Sequence, residues 1–198
     1  MFRTIASTGF IVVFAAIACH LLISRPKRNN LFVEVRHWRI LDVLRLLVYL
    51  FALLCFVILT VNGFYSSLIL HEPITGYRLI LQTTAGGAFT VCLAILAVMW
   101  AHNCRLDKNY YSYLQKLIAR EPADTPTPQK YELAQKICFW LIVMLALPLI
   151  LSIVLSMFTL FGTDGQKFLL QLHRYSALLL ALAAIIHAYL LIRTKMNK

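Results

Sequence analysis

Long apolar runs dominate the chain, and short polar stretches separate them. An α-helix rises about 1.5 Å per residue, so about 20 apolar residues cross the hydrocarbon core of a bilayer. Five runs reach that length, which predicts an all-α integral membrane protein with five spans. The runs lie at residues 5–24, 40–63, 79–102, 137–161 and 168–192.

The first run needs separate treatment because its start resembles a signal peptide. MFRTIASTGFIVVFAAIAC has a basic start and ends on small residues, but the apolar run continues through HLLIS, which argues against cleavage. We therefore expect an extra N-terminal transmembrane helix, which forms residues 1–30 together with a basic cytoplasmic linker. A four-helix transmembrane domain then occupies residues 31–198.

Composition supports a membrane protein without a soluble domain. Of the 198 residues, 61% are hydrophobic and 14% are charged, and the mean hydropathy is +0.76. A soluble domain of this size would expose much of that apolar surface. Because no polar segment is long enough for a separate soluble domain, catalysis on a soluble substrate would need a partner.

The net charge of +11 comes from 19 Lys and Arg against 8 Asp and Glu. Most of the cations lie in three clusters between apolar runs, so the lipid bilayer explains them and nucleic acid is not an expected partner. Cytoplasmic loops of membrane proteins are rich in Lys and Arg. We therefore expect five crossings of a prokaryotic cytoplasmic membrane, with the N-terminus outside and the C-terminus in the cytoplasm. The clusters contain Arg25, Lys27, Arg28, Arg36 and Arg39; Arg105, Lys108, Lys116, Arg120, Lys130 and Lys136; and Arg193, Lys195 and Lys198.

Five cysteines are scattered along the chain and lack the spacing of a metal site. No CxxC pair is present, so a zinc ribbon or an iron–sulfur cluster is unsupported, and the absence of CxxCH excludes covalent c-type haem attachment. We expect these cysteines to be small core residues. They are Cys19, Cys55, Cys92, Cys104 and Cys138.

The last apolar run, QLHRYSALLLALAAIIHAYLLI, contains two histidines, and an ionisable side chain inside a span is by default a candidate functional residue. His173 and His187 are 14 residues apart. At about 100° per residue they return to within about 40° of one direction, and they lie about 21 Å apart along the helix. Two imidazoles on one face at opposite depths suit two stacked cofactors, and b-type haem held by histidine pairs is the familiar case.

A proton relay is the competing interpretation of this histidine pair, but it normally needs Asp or Glu between the histidines, and none is present there. We expect His37, in VRHWR before the second run, to be the trans ligand of His187, because both sit at cytoplasmic ends of neighbouring spans. Arg174, beside His173 on the cation-poor side, is a candidate partner for a haem propionate. The remaining histidines at the inner ends of spans, which we expect to be interfacial, are His20 and His102.

These residues together resemble a known family. HW at the start of a span, NGF near its end, TAGGAF early in the next span and HRYSALLLALAAIIHAYLL in the last resemble the cytochrome b subunits of membrane formate dehydrogenases and nickel–iron hydrogenases, over about residues 33–193. The resemblance implies a four-helix bundle with two b haems. One haem would lie between His37 and His187, and the other between His173 and a ligand near position 82.

Gln82 stands where the resemblance implies the fourth ligand, and glutamine is a poor haem ligand. Three outcomes are open. The outer haem is absent, it is bound by His173 alone or with a weak sixth ligand, or His71 in the outer loop folds back to bind it. Gly86, four residues after Gln82 on the same face, favours a haem because glycine lets a flat porphyrin approach the backbone. The alternative role of this glycine is close helix packing.

The favoured function is a haem b electron-transfer subunit. It would anchor a peripheral redox enzyme, with iron–sulfur or multihaem cytochrome subunits, and exchange electrons with menaquinone or ubiquinone. One alternative is a haem-free membrane anchor or assembly subunit of a respiratory complex, which Gln82 favours. Another is transmembrane reduction of metal ions or ascorbate-type carriers, as in cytochrome b561. This last function is less favoured because one helix alone carries histidines at two depths.

Overall fold

The computed structural model describes residues 1–23, 40–105, 127–158 and 161–196. The regular structure in these residues is helical, and five of the helices are long and apolar enough to cross a membrane. This agrees with the five predicted spans. The α-helices are α1 (Phe2–Ile23), α2 (Ile40–Phe64), α3 (Tyr77–Ala101), α4 (Thr127–Ser156) and α5 (Thr163–Met196), and a π-helix over Tyr65–Leu70 continues α2.

The end of the second span differs from the prediction. The apolar pattern ends this span at residue 63, but helical structure continues through the π-helix to Leu70. His71 then adopts a left-handed backbone conformation with φ of 63°. A left-handed residue commonly ends a helix because it turns the chain away from the helix axis. The helical segment therefore runs into the stretch that the sequence assigns to a loop.

The first compact unit contains residues 1–7, α2, the π-helix and α3. Two aromatic pairs show that α2 and α3 are antiparallel, because the residue that comes later in α2 pairs with the residue that comes earlier in α3. The ring centroids are 5.7 Å apart for Tyr49 and Trp100 and 5.9 Å apart for Phe56 and Phe89. One cluster of buried side chains in this pair contains Ala52, Cys92 and Leu96, from both helices.

The second compact unit contains residues 8–23, α4 and α5. Polar contacts again show that its two long helices are antiparallel. Gln135, early in α4, donates a hydrogen bond of 3.0 Å to the carbonyl oxygen of Leu190, late in α5. Ser152, late in α4, contacts His173, early in α5. The two helices therefore form a hairpin that positions His173 against the last turns of α4.

The predicted extra N-terminal helix is present, and two of its residues, Gly9 and His20, contact α5. A Cβ added at Gly9 would lie 3.3 Å from Leu182 Cδ1, so a glycine at this position permits a close approach of the helices. Further along, His20 Nδ1 forms a hydrogen bond with the hydroxyl of Tyr189, and the two rings meet edge to face. Because both contacts advance in the same direction along the two helices, α1 and α5 are parallel.

Candidate functional site

His173 is held by the end of α4 through one ring nitrogen. Its Nδ1 lies 3.3 Å from the carbonyl oxygen of Leu149 and 3.2 Å from Ser152 Oγ. Ser152 itself donates to the same Leu149 oxygen at 2.7 Å. A carbonyl oxygen only accepts hydrogen bonds, so Nδ1 carries the imidazole proton in the neutral ring. Nε2 is then left with a lone pair, which is the arrangement that metal-ligating histidines usually show.

A cavity of about 400 Å³ lies beside His173, between the end of α4 and the start of α5. This volume is in the lower part of the range for pockets that bind small organic molecules, about 300–1,000 Å³. Its walls combine aliphatic side chains with hydroxyl, amide and ammonium groups. Besides His173 they are Ser152, Ile153, Ser156, Gln166, Lys167, Leu169 and Leu170.

His187 lies on the same α-helix as His173, two residues before Tyr189, which contacts α1. Its Nδ1 is buried and has no hydrogen-bond partner within the described part of the chain. A buried polar atom without a partner is unfavourable, by about 1–3 kcal/mol.

The predicted partner of His187 cannot be compared with this geometry, because His37 lies outside the described residues. The other residue singled out on α5, Arg174, is exposed and does not line the cavity beside His173. The side chain of His71 is exposed as well, and its backbone carbonyl accepts a hydrogen bond of 3.4 Å from Arg3. His102 is exposed at the end of α3.

Gln82 is engaged within the first unit. Its Oε1 accepts a hydrogen bond of 2.9 Å from Asn62 Nδ2, and its Nε2 lies 3.5 Å from the carbonyl oxygen of Leu59, to which it donates. Gly86, one helical turn later, faces the same helix, since a Cβ added there would lie 3.9 Å from Leu59 Cδ2. Both ends of the Gln82 amide therefore have partners on α2.

Comparison with protein-family models gives one match. The model described as prokaryotic cytochrome b561 matches residues 43–196, which is well over half of the chain and includes α3, α4, α5 and nearly all of α2. The chain belongs to the prokaryotic cytochrome b561 family. No curated protein and no solved structure matches it.

Membership in this family confirms the predicted resemblance and fold class. The chain is an all-helical integral membrane protein of a haem b electron-transfer family, consistent with the cytochromes b of hydrogenases and formate dehydrogenases. The matched segment begins at residue 43, so α1 lies outside it.

The histidines of α5 fit the haem b of this cytochrome family. His173 presents Nε2 as a lone-pair donor because Leu149 holds its Nδ1–H, and the buried Nδ1 of His187 is an atom whose partner is missing among the described residues. Within those residues, no group of three or more His, Cys, Asp and Glu side chains is placed to hold a metal ion. Imidazoles presented singly suit axial ligation of a haem iron, where the porphyrin supplies the other ligands.

Several polar residues of this cytochrome were missed by sequence reasoning. Ser152 gives no signal, because a serine is common in apolar helices and its contact with His173 depends on the register between two helices. Asn62 is a polar residue inside an apolar run, which could have marked it. Arg78 immediately precedes the third apolar run and therefore resembles a loop cation, but the structure places it in the first turn of α3, bonded to Asn62.

Proposed function

We propose that this cytochrome is the haem b electron-transfer subunit of a membrane complex. It would link a peripheral redox enzyme, with iron–sulfur or multihaem cytochrome subunits, to a membrane quinone pool of menaquinone or ubiquinone. The observation that carries the proposal is the pair of histidines on one face of α5, of which His173 has its Nδ1–H bonded to Leu149. The family match supports it. When bound, haem b supplies reversible one-electron transfer.

The proposed inner haem is held by His187 and His37. The buried and unpartnered Nδ1 of His187 supports a role for this residue in a larger site. Haem ligands usually have their second ring nitrogen hydrogen-bonded, so we expect a group beyond the described residues, or a bound water, to accept from this atom. Because cytoplasmic loops are rich in Lys and Arg, the positions of the cation clusters predict an N-terminus outside and a C-terminus in the cytoplasm. The proposed inner haem then lies near the cytoplasmic surface.

The proposed outer haem is bound by His173, with Arg174 as the candidate cation for its propionates. Gln82, which the resemblance implies as the opposing position, has its amide bonded to α2 through both oxygen and nitrogen. This favours a haem with one histidine ligand, and a second ligand from His71 is the alternative that the loop permits. The polar walls of the cavity beside His173 support the idea that this end of the hairpin receives a polar group.

Haem content tests this proposal. The pyridine haemochrome assay would be made on the purified full-length chain and on His173→Ala, His187→Ala and the control His102→Ala, whose side chain is exposed. We expect about two haems per chain in the wild type and the control, and about one in each of the other two variants. A preparation without a Soret band that dithionite reduces, or variants with unchanged haem content, would overturn the proposal.

A second candidate function is favoured by the family's description as cytochrome b561. In this case the chain would move electrons across the membrane between a quinol and a small acceptor, without a peripheral enzyme. Proteoliposomes that contain the purified chain and trapped ferricyanide distinguish the two functions. Reduction of the trapped ferricyanide by added quinol supports the second function. Haem reduction by quinol that stops at the haems supports a subunit that needs its partner enzyme.

A further inference from the structure

A polar cluster between α2 and α3 contains none of the histidines proposed as iron ligands. Asn62, late in α2, is only 9% exposed. Arg78, the second residue of α3, donates from Nε to Asn62 Oδ1 at 3.0 Å and from Nη2 to the Asn62 carbonyl oxygen at 3.3 Å. Asn62 Nδ2 in turn donates to the carbonyl oxygen of Arg78 at 3.0 Å and to Gln82 Oε1 at 2.9 Å.

These contacts fix part of the guanidinium and leave the rest of it available. A guanidinium has five N–H donors, of which two are bonded to Asn62. The ring of Tyr65 covers one face, with its centroid 5.5 Å from Arg78 Cζ. Arg78 is half-buried, and no carboxylate among the described residues lies within ion-pair distance of it. The protein therefore holds an oriented positive charge without a negative partner in the described chain.

Ser66 gives an independent sign of a missing group in the same unit. It lies in the π-helix directly after Tyr65, whose ring covers Arg78, and is 2% exposed. Its Oγ is buried without a hydrogen-bond partner in the described residues. A hydroxyl is rarely left in this state, because burial removes its hydrogen bonds to water. Single-turn π-helices are also frequent at functional sites.

We propose that Arg78, together with Ser66, binds an oxyanion, either a carboxylate or a phosphate. A planar guanidinium with an unused edge matches two oxygens of one anion. The N-terminal end of α3 adds a partial positive charge close to Arg78. In this membrane protein the oxyanion has two sources, the phosphate of a phospholipid head group or a propionate of a bound haem. The inference goes beyond the proposed function and does not depend on which residues ligate the haem iron.

Arginine modification of the wild-type chain in detergent is the first test. Phenylglyoxal labelling of Arg78 is followed by mass spectrometry, with Arg3 as internal reference. Arg3 is exposed, and within the described residues it donates one long hydrogen bond, 3.4 Å, to the carbonyl oxygen of His71. We expect dihexanoylphosphatidylglycerol to slow the labelling of Arg78 in delipidated protein several-fold and to leave Arg3 unchanged. A neutral diacylglycerol is the control ligand and should protect neither.

The same labelling identifies the source of the oxyanion. If the phosphate of a lipid is bound, protection of Arg78 follows the added phospholipid, whether or not haem is present. If a propionate is bound, the delipidated holoprotein already protects Arg78, and extraction of the haem removes that protection. If Arg78 reacts as fast as Arg3 under all these conditions, the proposed site does not exist.

Variants give a second test. We expect Arg78→Gln to weaken the binding of dihexanoylphosphatidylglycerol about tenfold or more, and Arg78→Lys to weaken it less, because lysine keeps the charge but loses the planar pair of donors. Arg3→Gln removes an arginine from the same unit and should leave the affinity unchanged. Equal affinity in all three variants would overturn the inference. A failure of the proposed function would appear instead as haem content that does not respond to His173→Ala and His187→Ala.

Discussion

The two helix hairpins of this cytochrome treat their polar side chains in different ways. In the α2–α3 pair, Asn62 donates to Gln82, and both the oxygen and the nitrogen of the Gln82 amide have partners on α2. In the α4–α5 pair, the contacts of His173 with Leu149 and Ser152 are made through Nδ1. One hairpin thus uses its polar groups for packing, and the other orients an imidazole.

The comparison shows what distinguishes a binding side chain from a structural one inside a membrane. Burial alone does not, since Asn62 is as deeply buried as many apolar residues. The difference lies in the number of hydrogen-bonding groups that remain after the internal contacts are counted. By this criterion His173 and His187 are the stronger ligand candidates, since both the oxygen and the nitrogen of the Gln82 amide are engaged on α2.

The largest expected effect is the loss of a haem from the α4–α5 hairpin. His187→Ala should reduce the haem content of the purified chain from about two to about one, because it removes the proposed axial ligand. Imidazole added to the purified variant should restore part of the lost absorbance, since it can occupy the space left by the side chain. His102→Ala serves as the control. Full haem content in His187→Ala would contradict the assignment of this residue.

Replacement of Gln82 by histidine tests whether the α2–α3 hairpin can supply a haem ligand, as the α4–α5 hairpin is proposed to do. If the outer haem has His173 as its one histidine ligand, about half of the reduced haem in the wild type should bind carbon monoxide. The oxidised wild type should then show a high-spin ferric signal in electron paramagnetic resonance. In Gln82→His the resemblance implies a second imidazole, and we expect the signal to become low-spin and carbon monoxide binding to fall.

The matched control for this exchange is Thr83→His, which places an imidazole on the neighbouring, exposed position of α3. It should keep the wild-type spectrum. Two low-spin haems and no carbon monoxide binding in the wild type would mean that another residue, such as His71, already supplies the sixth ligand. Loss of binding in both variants would mean that the histidine acts through the fold and not through the iron.

A smaller effect is expected when the hydrogen bonds among Asn62, Arg78 and Gln82 in the α2–α3 pair are broken. Asn62→Leu keeps the approximate size of the side chain but removes the partners of Arg78 and Gln82, so we expect a loss of about 1–3 kcal/mol in stability. Thermal unfolding in detergent measures it. Thr60→Val is the control on the same helix, because the hydroxyl of Thr60 bonds only to the Phe56 carbonyl within α2. Equal destabilisation in both variants would show that the cluster is not needed for packing.

The fold was predictable because a span requires a long apolar run, and composition alone supplies this signal. The histidine pair on α5 was predictable as well, since the spacing of 14 residues determines the face of a single helix. Residues that act across two helices were not. The bonds from Asn62 to Arg78 and from Ser152 to His173 depend on the register between antiparallel helices, which no local pattern specifies. The π-helix after α2 has no comparable sequence signal, because YSSLIL mixes polar and apolar residues beyond the end of the apolar run.

The smallest expected effect concerns the orientation of His173. Ser152→Ala removes one of the two oxygens around Nδ1, while the Leu149 carbonyl remains. A hydrogen bond contributes about 0.5–1.5 kcal/mol, which corresponds to about 20–65 mV for a one-electron couple at 59 mV per tenfold change. The direction is upward, because a less strongly hydrogen-bonded imidazole is a weaker base and stabilises ferric iron less. Redox titration of the proposed His173 haem measures the shift.

The control is Ser156→Ala. Ser156 lines the same cavity, and within the described residues its hydroxyl donates to the Ile153 carbonyl and not to His173, so this variant should leave the potential unchanged. An equal shift in both variants would assign the effect to the polarity of the cavity and not to the hydrogen bond at His173 Nδ1. The contrast between the oriented imidazole of His173 and the Gln82 amide bonded to α2 would then have no chemical basis.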